Sequence, residues 1–449
     1  MPETGAMMTS LLIENGALIA WDAGAASLRG RSVLIDGDRI SRVGPARAFR
    51  GFKGRRIDAS RKVVMPGLIN AHTHCYSAFA RGMTRAKASV SFDEVLKNLW
   101  WRLDSALTKE DCHSSALLAM IDSIRHGTTT IIDHHASPNA VAGSLDAIAR
   151  AARQTGVRAC LCYEISDRDG PRIAEAGLLE NVDFIRQCAR RNEPGLQALL
   201  GLHASFTISD RTLAAAALAG SELGSGFHIH VAEAQTDQDH CRRRHNLRVV
   251  ERLKKFGILG RQSLAAHCVH VNRREMDILA ETGTAVVHNP QSNLNNAVGI
   301  ADVIGMAGRG VLVGLGTDAM TTNMLEELRV ALWAQHMRAN NPSAGFSELG
   351  ASLFANNPRI ASRIFGLPLG TLCEGAMADI AIFDYDPPTP LEGENALGHL
   401  IYGLSQALVD TTIVGGRVLM EGRRLALDID EQRVNARARE RAEDLWKRM

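Results

Sequence analysis

The triplet His72-Thr73-His74 follows an apolar, β-branched segment that is interrupted by Pro66 and Gly67. Such a segment is typical of a buried strand, and side chains two residues apart on a strand point to the same side. His72 and His74 could therefore bind one ion together, because imidazole is a common ligand of zinc and similar metals. Packing on a partly buried strand would also explain an isolated pair of this kind.

Three further segments place a metal-binding or acid/base side chain at or just after a short apolar run, at residues 227–233, 264–268 and 311–318. The first segment carries His230 and Glu233, the second carries His267 and the third ends at Asp318. Four apolar strands that end in such residues indicate ligands delivered from strand ends to one common point.

The middle of the chain, from about residue 64 to residue 373, alternates short apolar strands with helical patterns, which is typical of βαβ units around a parallel sheet. The predicted strands are residues 63–71, 128–133, 157–163, 196–202, 226–231, 263–268, 284–288 and 311–316. Eight strands close a TIM barrel, and the active site of that fold lies at the C-terminal ends of its strands. The candidate ligands fall at those ends. Apolar spacing predicts outer helices at residues 116–125, 145–154, 182–191 and 325–338.

Both ends of the chain read as short strands joined by turns rich in Gly and Asp. We therefore predict a (β/α)8 TIM barrel over residues 65–373 and a small composite β-sandwich built from residues 1–64 and 374–426. A solvated helix is predicted over residues 427–449, where Arg alternates with Glu and Asp.

Composition narrows the class of protein. The 449 residues have a formal net charge of +2 and scattered basic residues, so we expect no nucleic-acid partner. Eight cysteines without C-x-x-C spacing indicate reduced thiols. Since neither a signal peptide nor a membrane-spanning segment is evident, we expect a soluble, cytoplasmic protein without a membrane partner. Assembly into a homo-oligomer stays open.

The order of these motifs resembles the amidohydrolase superfamily, and in particular its deaminase and chlorohydrolase branch, which includes cytosine and guanine deaminases. The resemblance rests on residues 66–74, 230–233, 288–293 and 314–318 and spans nearly the whole chain. A narrower resemblance, to the SsnA family of aminohydrolases associated with purine breakdown, rests on residues 98–104, 133–138 and 446–449.

The resemblance implies a metal site formed by His72, His74, His230 and Asp318. Binuclear members of the superfamily bridge two ions with a carboxylated lysine at the end of the fourth strand. This chain has no lysine between Lys109 and Lys254. We therefore expect one divalent metal ion, with zinc favoured by the ligand types and iron as the alternative.

In this branch the metal activates water for attack on a ring carbon that carries an amino or halide group. The resemblance assigns Glu233 to protonate a ring nitrogen and His267 to orient the nucleophile. Asp318 would move a proton to the departing ammonia.

Residues expected to contact the substrate are His203, His134, His135, Gln291, Asn293 and Trp101. His203 occupies the place of a substrate-binding histidine of the family, at the end of the fourth strand. Trp100 and Trp101 could stack on a planar ring or pack a helix onto the barrel. Where many relatives read Ser-Asn-x-Lys-Leu, residues 292–296 read Ser-Asn-Leu-Asn-Asn, so a positive charge at the pocket rim is missing.

The most specific functional hypothesis is a metal-dependent hydrolase of non-peptide C–N bonds that deaminates an aminated heterocycle such as a purine or pterin. Hydrolytic opening of a cyclic amide and dehalogenation of a heteroaromatic ring are the alternatives. A non-catalytic barrel is disfavoured because ligands and Glu233 occur together. The Pro-Cys of unrelated zinc nucleobase deaminases and a dinucleotide-binding G-x-G-x-x-G are absent.

Overall fold

The computed structural model describes residues 10–22, 25–29, 32–84 and 86–449. Within these residues the strands are β1 (Leu11–Glu14), β2 (Ala17–Asp22), β3 (Ala25–Arg29), β4 (Ser32–Asp36), β5 (Arg39–Gly44), β6 (Arg55–Asp58), β7 (Val63–Pro66), β8 (Leu68–Thr73), β9 (Thr128–His135), β10 (Arg158–Tyr163), β11 (Leu196–Ala198), β12 (Leu200–Ala204), β13 (Phe227–Val231), β14 (Leu264–His267), β15 (Ala285–His288), β16 (Val313–Leu315), β17 (Ile380–Asp384), β18 (Leu408–Val414), β19 (Arg417–Glu421) and β20 (Arg424–Leu425).

The α-helices of the same residues are α1 (Phe92–Val95), α2 (Trp101–Ala106), α3 (Lys109–Arg125), α4 (Ser144–Thr155), α5 (Pro171–Arg191), α6 (Asp210–Leu223), α7 (Gln235–His245), α8 (Val249–Lys255), α9 (Arg273–Thr282), α10 (Pro290–Asn295), α11 (Val303–Ala307), α12 (Met324–Ala339), α13 (Phe346–Ala351), α14 (Asn357–Phe365), α15 (Ala396–Tyr402) and α16 (Glu431–Arg448). The four outer helices predicted from apolar spacing lie within α3, α4, α5 and α12.

The barrel consists of two parallel sheets with the strand orders β11-β10-β9-β8 and β12-β13-β14-β15-β16. At one junction, the backbone N–H of Ile165 donates to the carbonyl of Gly201, and that of His203 donates to the carbonyl of Ile165. At the other junction, the N–H groups of Thr317 and Asp318 both donate to the carbonyl of His72. These hydrogen bonds join the two sheets into one ring, and the predicted (β/α)8 TIM barrel is confirmed.

The predicted strand 63–71 is two strands in the structure. β7 pairs with β17 in an antiparallel sheet outside the barrel, whereas β8 is the first barrel strand. Gly67 separates the two, and a Cβ atom at this position would lie 2.2 Å from Cγ2 of Thr129. Only glycine allows the chain to pass this close to β9. The predicted strand 196–202 is likewise divided, into β11 and β12.

Strands from both ends of the chain form two further sheets, of orders β5-β4-β1-β6 and β20-β19-β18-β17-β7-β2-β3. Their facing side chains share one apolar core that includes Ile13, Ile40, Val64, Ile380 and Ile413. This arrangement is the composite β-sandwich expected from the sequence. The precise domain limits stay a prediction.

The barrel interior is filled by apolar side chains, among them Ile69, Ile132, Cys160, Leu264 and Val287. The interior is therefore a packed core rather than a pore, and the histidines and acidic side chains of the candidate site lie toward the C-terminal ends of the strands. No helix among the described residues is both long and apolar enough to span a membrane.

The C-terminal helix α16 begins at Glu431, later than the predicted residue 427, because the side chain of Asp430 caps it by accepting from the N–H of Arg433. Arg441 and Arg448 form ion pairs with the buried Asp111 of α3. The helix is thus anchored to the barrel through α3, while many of its side chains stay exposed to solvent.

Candidate active site

Four side chains meet at the C-terminal end of the barrel: His72 and His74 at the end of β8, His230 in β13 and Asp318 after β16. Oδ1 of Asp318 lies 2.8 Å from Nε2 of His74 and 3.4 Å from Nε2 of His72. Nε2 of His230 lies 3.3 Å from Nε2 of His74. The four groups converge as the sequence predicted.

In His74 and His230, the ring nitrogen opposite Nε2 has a partner that fixes its proton. Nδ1 of His74 donates to the carbonyl of His134, and Nδ1 of His230 donates to the carbonyl of His203 at 3.0 Å. A carbonyl only accepts, so both rings carry their proton on Nδ1 and keep the Nε2 lone pair free. Nε2 of His72 is buried without a hydrogen-bond partner among the described residues.

Three imidazole nitrogens and one carboxylate oxygen form a donor set that suits a catalytic divalent ion, with room for a further ligand. The buried lone pairs have no protein donor to satisfy them, and a cation would satisfy all of them. The residues therefore fit the metal implied by the sequence.

His228, two residues before His230 in β13, supports His72 directly. Its Nε2 lies 2.8 Å from Nδ1 of His72, and its Nδ1 lies 3.7 Å from the sulfur of Cys162. The thiol of Cys162 in turn donates to the carbonyl of Asp133 at 3.4 Å. If His72 carries its proton on Nδ1, every proton in this chain has an acceptor, and Nε2 of His72 faces the metal position.

Glu233 and His267 lie beside the four ligands, with Oε2 of Glu233 3.5 Å from Nε2 of His267. The side-chain amide of Asn293 donates to Nδ1 of His267 at 2.8 Å. Nε2 of His267 therefore carries the ring proton and faces Glu233, with no hydrogen-bond partner among the described residues. A ring with its proton on Nε2 can donate to a water molecule but has no Nε2 lone pair for a metal ion. This tautomer therefore suits a residue that orients water.

The pKa values of Glu233 and Asp318 are shifted in opposite directions. Burial and the charge of Asp318 raise the pKa of Glu233 well above its usual value. Burial would also raise the pKa of Asp318, but the adjacent rings of His72 and His74 outweigh burial and hold that pKa well below its usual range. The pKa values of the two carboxyl groups are thus shifted in opposite directions, as an acid and a base in one site require.

A cavity of about 670 Å³, including its solvent-filled mouth, opens above these residues. Its apolar wall contains Phe92, Leu96, Trp100, Trp101 and Phe206, and its polar floor contains Glu233, His230 and Asp318. An aromatic wall over a polar floor suits a flat heterocycle that presents one edge to the floor.

Glu164 is a site residue that the sequence reasoning missed. It directly follows β10, is buried, and places Oε1 3.2 Å from Nδ1 of His74 and 3.5 Å from Nδ1 of His134. Burial alone would raise its pKa, but the hydrogen bond and charge of His74 outweigh burial and lower it. Its position just after a barrel strand, the same signal that marked the other candidates, could have identified it.

A buried ion pair, also missed, borders the cavity. Arg168 binds Asp104, and its guanidinium lies 5.4 Å above the ring of Trp101. Burial raises the pKa of Asp104 to about 7 against the opposing charge of Arg168. Arg168 supplies a positive charge at the pocket, although residues 292–296 lack the one found in many relatives.

The six predicted substrate contacts occupy different places. His203 and Trp101 line the cavity, and burial lowers the pKa of His203 to about 4. His134 lies among His72, His74 and His230 and has no hydrogen-bond partner for either ring nitrogen among the described residues.

The other three predicted contacts are not on the cavity wall. Asn293 lies behind His267. His135 is directed to Ser137 and Cys112, and the backbone N–H of Gln291 donates to Glu327. Substrate contact by any of the six stays a prediction.

Comparison with known proteins identifies the class. The model of the Amidohydrolase family matches residues 63–419. The chain belongs to the amidohydrolase family. This amidohydrolase is 34% identical over 425 residues to a 5-methylthioadenosine/S-adenosylhomocysteine deaminase of Desulforudis audaxviator, covering 92% of this chain and 94% of the relative. It is 31% identical to a 5'-deoxyadenosine deaminase of Methanosarcina mazei, covering 98% of this chain and 100% of the relative.

Solved structures confirm the fold of the amidohydrolase. A zinc-bound adenosine deaminase from Xanthomonas campestris superposes with a TM-score of 0.86 at 23% identity, covering 98% of this chain and 99% of that one. A zinc complex of atrazine chlorohydrolase from Arthrobacter aurescens TC1 gives a TM-score of 0.80 at 24% identity, covering 96% and 100%. The predicted membership in the deaminase and chlorohydrolase branch is confirmed. The narrower resemblance to SsnA stays a prediction.

Proposed function

We propose that this amidohydrolase is a metal-dependent aminohydrolase that replaces an amino group on a heterocycle by oxygen and releases ammonia. The observation that carries the proposal is the convergence of three histidine Nε2 atoms and one Asp318 oxygen next to the pair Glu233 and His267. Curated relatives of more than 90% coverage are named as deaminases of adenosine-type compounds. A purine or a related aminated ring is therefore the proposed substrate class.

The proposed cofactor is one zinc ion held by His72, His74, His230 and Asp318, with iron as the alternative. Two structural neighbours are zinc complexes, which supports this choice. When bound, the ion lowers the pKa of water and so supplies a nucleophile near neutral pH. The chain has no lysine at the fourth strand to bridge a second ion, which supports a single metal.

The protein residues move the protons. Glu233 donates its carboxyl proton to the ring nitrogen beside the attacked carbon. Nε2–H of His267 holds the attacking oxygen in line with that carbon. Asp318 accepts a proton from the attacking water and passes it to the amino group, so that a C–O bond forms, the C–N bond breaks and ammonia leaves. The remaining hydroxyl proton returns to Glu233, which restores the acid and leaves a carbonyl beside the protonated ring nitrogen.

Dehalogenation remains a second candidate because one structural neighbour is a chlorohydrolase. The same nucleophile and the same acid would serve, with chloride in place of ammonia as leaving group. The sequence relatives favour deamination, since 34% identity to a deaminase exceeds 24% identity to the chlorohydrolase. Opening of a cyclic amide stays a third hypothesis. A cytoplasmic location, a small-molecule partner and self-association complete the proposal.

The decisive experiment is a release assay on zinc-loaded protein with aminopurines, aminopterins, aminopyrimidines, chlorotriazines and cyclic ureides. Ammonia from an aminated ring supports deamination. Chloride release without ammonia would replace it by dehalogenation, and ring opening without either product would replace it by amide hydrolysis. Metal analysis of the same protein should give one ion per chain, and two ions would contradict the single-metal proposal.

A further inference from the structure

The wall of the cavity beside His230 holds two groups that the proposed chemistry does not use. Glu164 follows β10, and His203 lies in the neighbouring strand β12. Both line the cavity, and Oε2 of Glu164 lies 3.9 Å from Nε2 of His203. Neither atom has a hydrogen-bond partner in the part of the chain that the structure describes.

The proton of His203 is located by Thr207. Oγ1 of Thr207 lies 2.7 Å from Nδ1 of His203 and 3.1 Å from the carbonyl of Ala204. The hydroxyl has one proton, and the carbonyl can only accept it. Thr207 therefore accepts from Nδ1–H of His203, which leaves Nε2 of His203 as a lone pair that faces the cavity.

Glu164 offers a second acceptor at the same place. The nearby cation Arg168 pairs with Asp104 and Asp169, and no hydrogen bond joins it to Oε2 of Glu164 among the described residues. Two acceptors that face one another across 3.9 Å repel unless a donor lies between them. A single nitrogen can donate to both, since their separation is less than twice a hydrogen-bond length of about 2.9 Å.

We propose that Glu164 and His203 form a subsite for a nitrogen donor of the substrate. The donor is an amino group or a ring N–H other than the amino group that leaves. The inference rests on the proposed function and narrows it, because the substrate becomes an aminated heterocycle with a second N–H donor. A ring that lacks this donor leaves both acceptors unpaired and binds more weakly.

Three purines that differ in their N–H donors test the contribution of this donor to binding. 9-Methyladenine has no donor beyond its 6-amino group, adenine adds a ring N–H, and 2,6-diamino-9-methylpurine adds an amino group. Tryptophan fluorescence can measure their dissociation constants on zinc-loaded protein, since the ring of Trp101 lies 6.4 Å from the ring of His203. Values of kcat/KM replace them where a ligand is turned over.

At least one donor-bearing ligand should bind tenfold or more tightly than 9-methyladenine. This gain in affinity over 9-methyladenine should persist in Thr207→Ser, which keeps the hydroxyl. It should fall below threefold in Thr207→Val and in Glu164→Gln. Metal content is measured for each variant because Glu164 also contacts His74. Gains below tenfold for both donor-bearing ligands would overturn the subsite, and so would a gain retained in both Thr207→Val and Glu164→Gln.

Nitrogen-15 NMR of histidine-labelled, zinc-loaded protein gives a result that needs no ligand. We expect a protonated Nδ1 and an unprotonated Nε2 for His203, with this preference lost in Thr207→Val. A protonated Nε2 in the native protein would overturn the proposal. Neither measurement depends on ammonia release, so a failed deamination assay leaves the subsite standing. If the protein is an active deaminase but binds the donor-bearing ligands no more tightly than 9-methyladenine, the subsite is wrong and the proposed function stands.

Discussion

Nδ1 of His72 lies 2.8 Å from Nε2 of His228, and both rings are fully buried inside the barrel. The two residues are 156 positions apart in the sequence, on β8 and β13. His228 thereby holds the ring of His72 in one orientation, as outer partners of metal-binding histidines do.

Replacement of His228 by leucine should weaken zinc binding about 10- to 100-fold, because His72 loses the acceptor for its Nδ1 proton. His228→Gln keeps an acceptor oxygen and should lose less. Zinc affinity by competition with a chromogenic chelator measures both variants. Equal affinities for the native protein and His228→Leu would remove His228 from the support of the metal.

Glu233→Gln should keep the metal and lose turnover by about two to four orders of magnitude, since an amide cannot donate the carboxyl proton to the ring. Glu233 is not among the four ligands, so zinc content should stay near one ion per chain. The measurements are steady-state ammonia release and metal analysis. A variant with near native kcat would exclude Glu233 as the acid.

Asn293→Asp should reverse the tautomer of His267. A carboxylate in place of the amide accepts a proton from Nδ1, so Nε2 would present a lone pair instead of N–H to Glu233. A wrong histidine tautomer costs about 10⁴ in kcat in the serine-protease triad, and we expect a loss of about 10² or more here.

Asn293→Ala serves as the control for that variant, because it removes the amide without imposing the opposite tautomer. It should retain more activity than Asn293→Asp. The ring nitrogens of His267 can be read by nitrogen-15 NMR in both variants. Native kcat in Asn293→Asp would show that the Asn293 contact does not set the working state of His267.

Residues with their own strand-end signal were predictable from the sequence. His72, His74, His230, Glu233, His267 and Asp318 each lie at or just past a short apolar run, and a barrel brings such ends together.

The partners that fix their protons were not predictable. His228 and Asn293 act across the barrel on residues far away in sequence, and no local pattern states which ring nitrogen faces which partner. Glu164 was not predicted, although it directly follows β10 as the other candidates follow their strands.

Strand boundaries show a similar limit. Residues 63–71 are apolar apart from Asn70 and are interrupted only by Pro66 and Gly67, so the local pattern predicted one strand. The chain instead changes sheets at Gly67, because β7 finds its partners in β17 and β2 near the chain ends. Long-range pairing of this kind cannot be read from local periodicity.

Gly316→Ala should damage the metal site through a backbone contact. A Cβ atom at this position would lie 2.8 Å from both N and Cβ of His72 and 2.6 Å from Oδ1 of Asn289. These distances are shorter than van der Waals contact, so His72 must move away from the other ligands. We expect zinc affinity to fall at least about tenfold, in line with other losses of ligand support.

Two glycine variants separate this effect from a general loss of stability. Gly314→Ala would meet Asn357 and Ile360 instead of a ligand, with its Cβ atom 2.4 Å from Oδ1 of Asn357. It should lower the melting temperature while zinc affinity stays near native. Gly398 lies in α15 with no neighbour within 4 Å of an added Cβ atom, so Gly398→Ala should be neutral or stabilise by up to about 1 kcal/mol. If zinc affinity fell equally in Gly314→Ala and Gly316→Ala, the loss would follow stability rather than the displacement of His72.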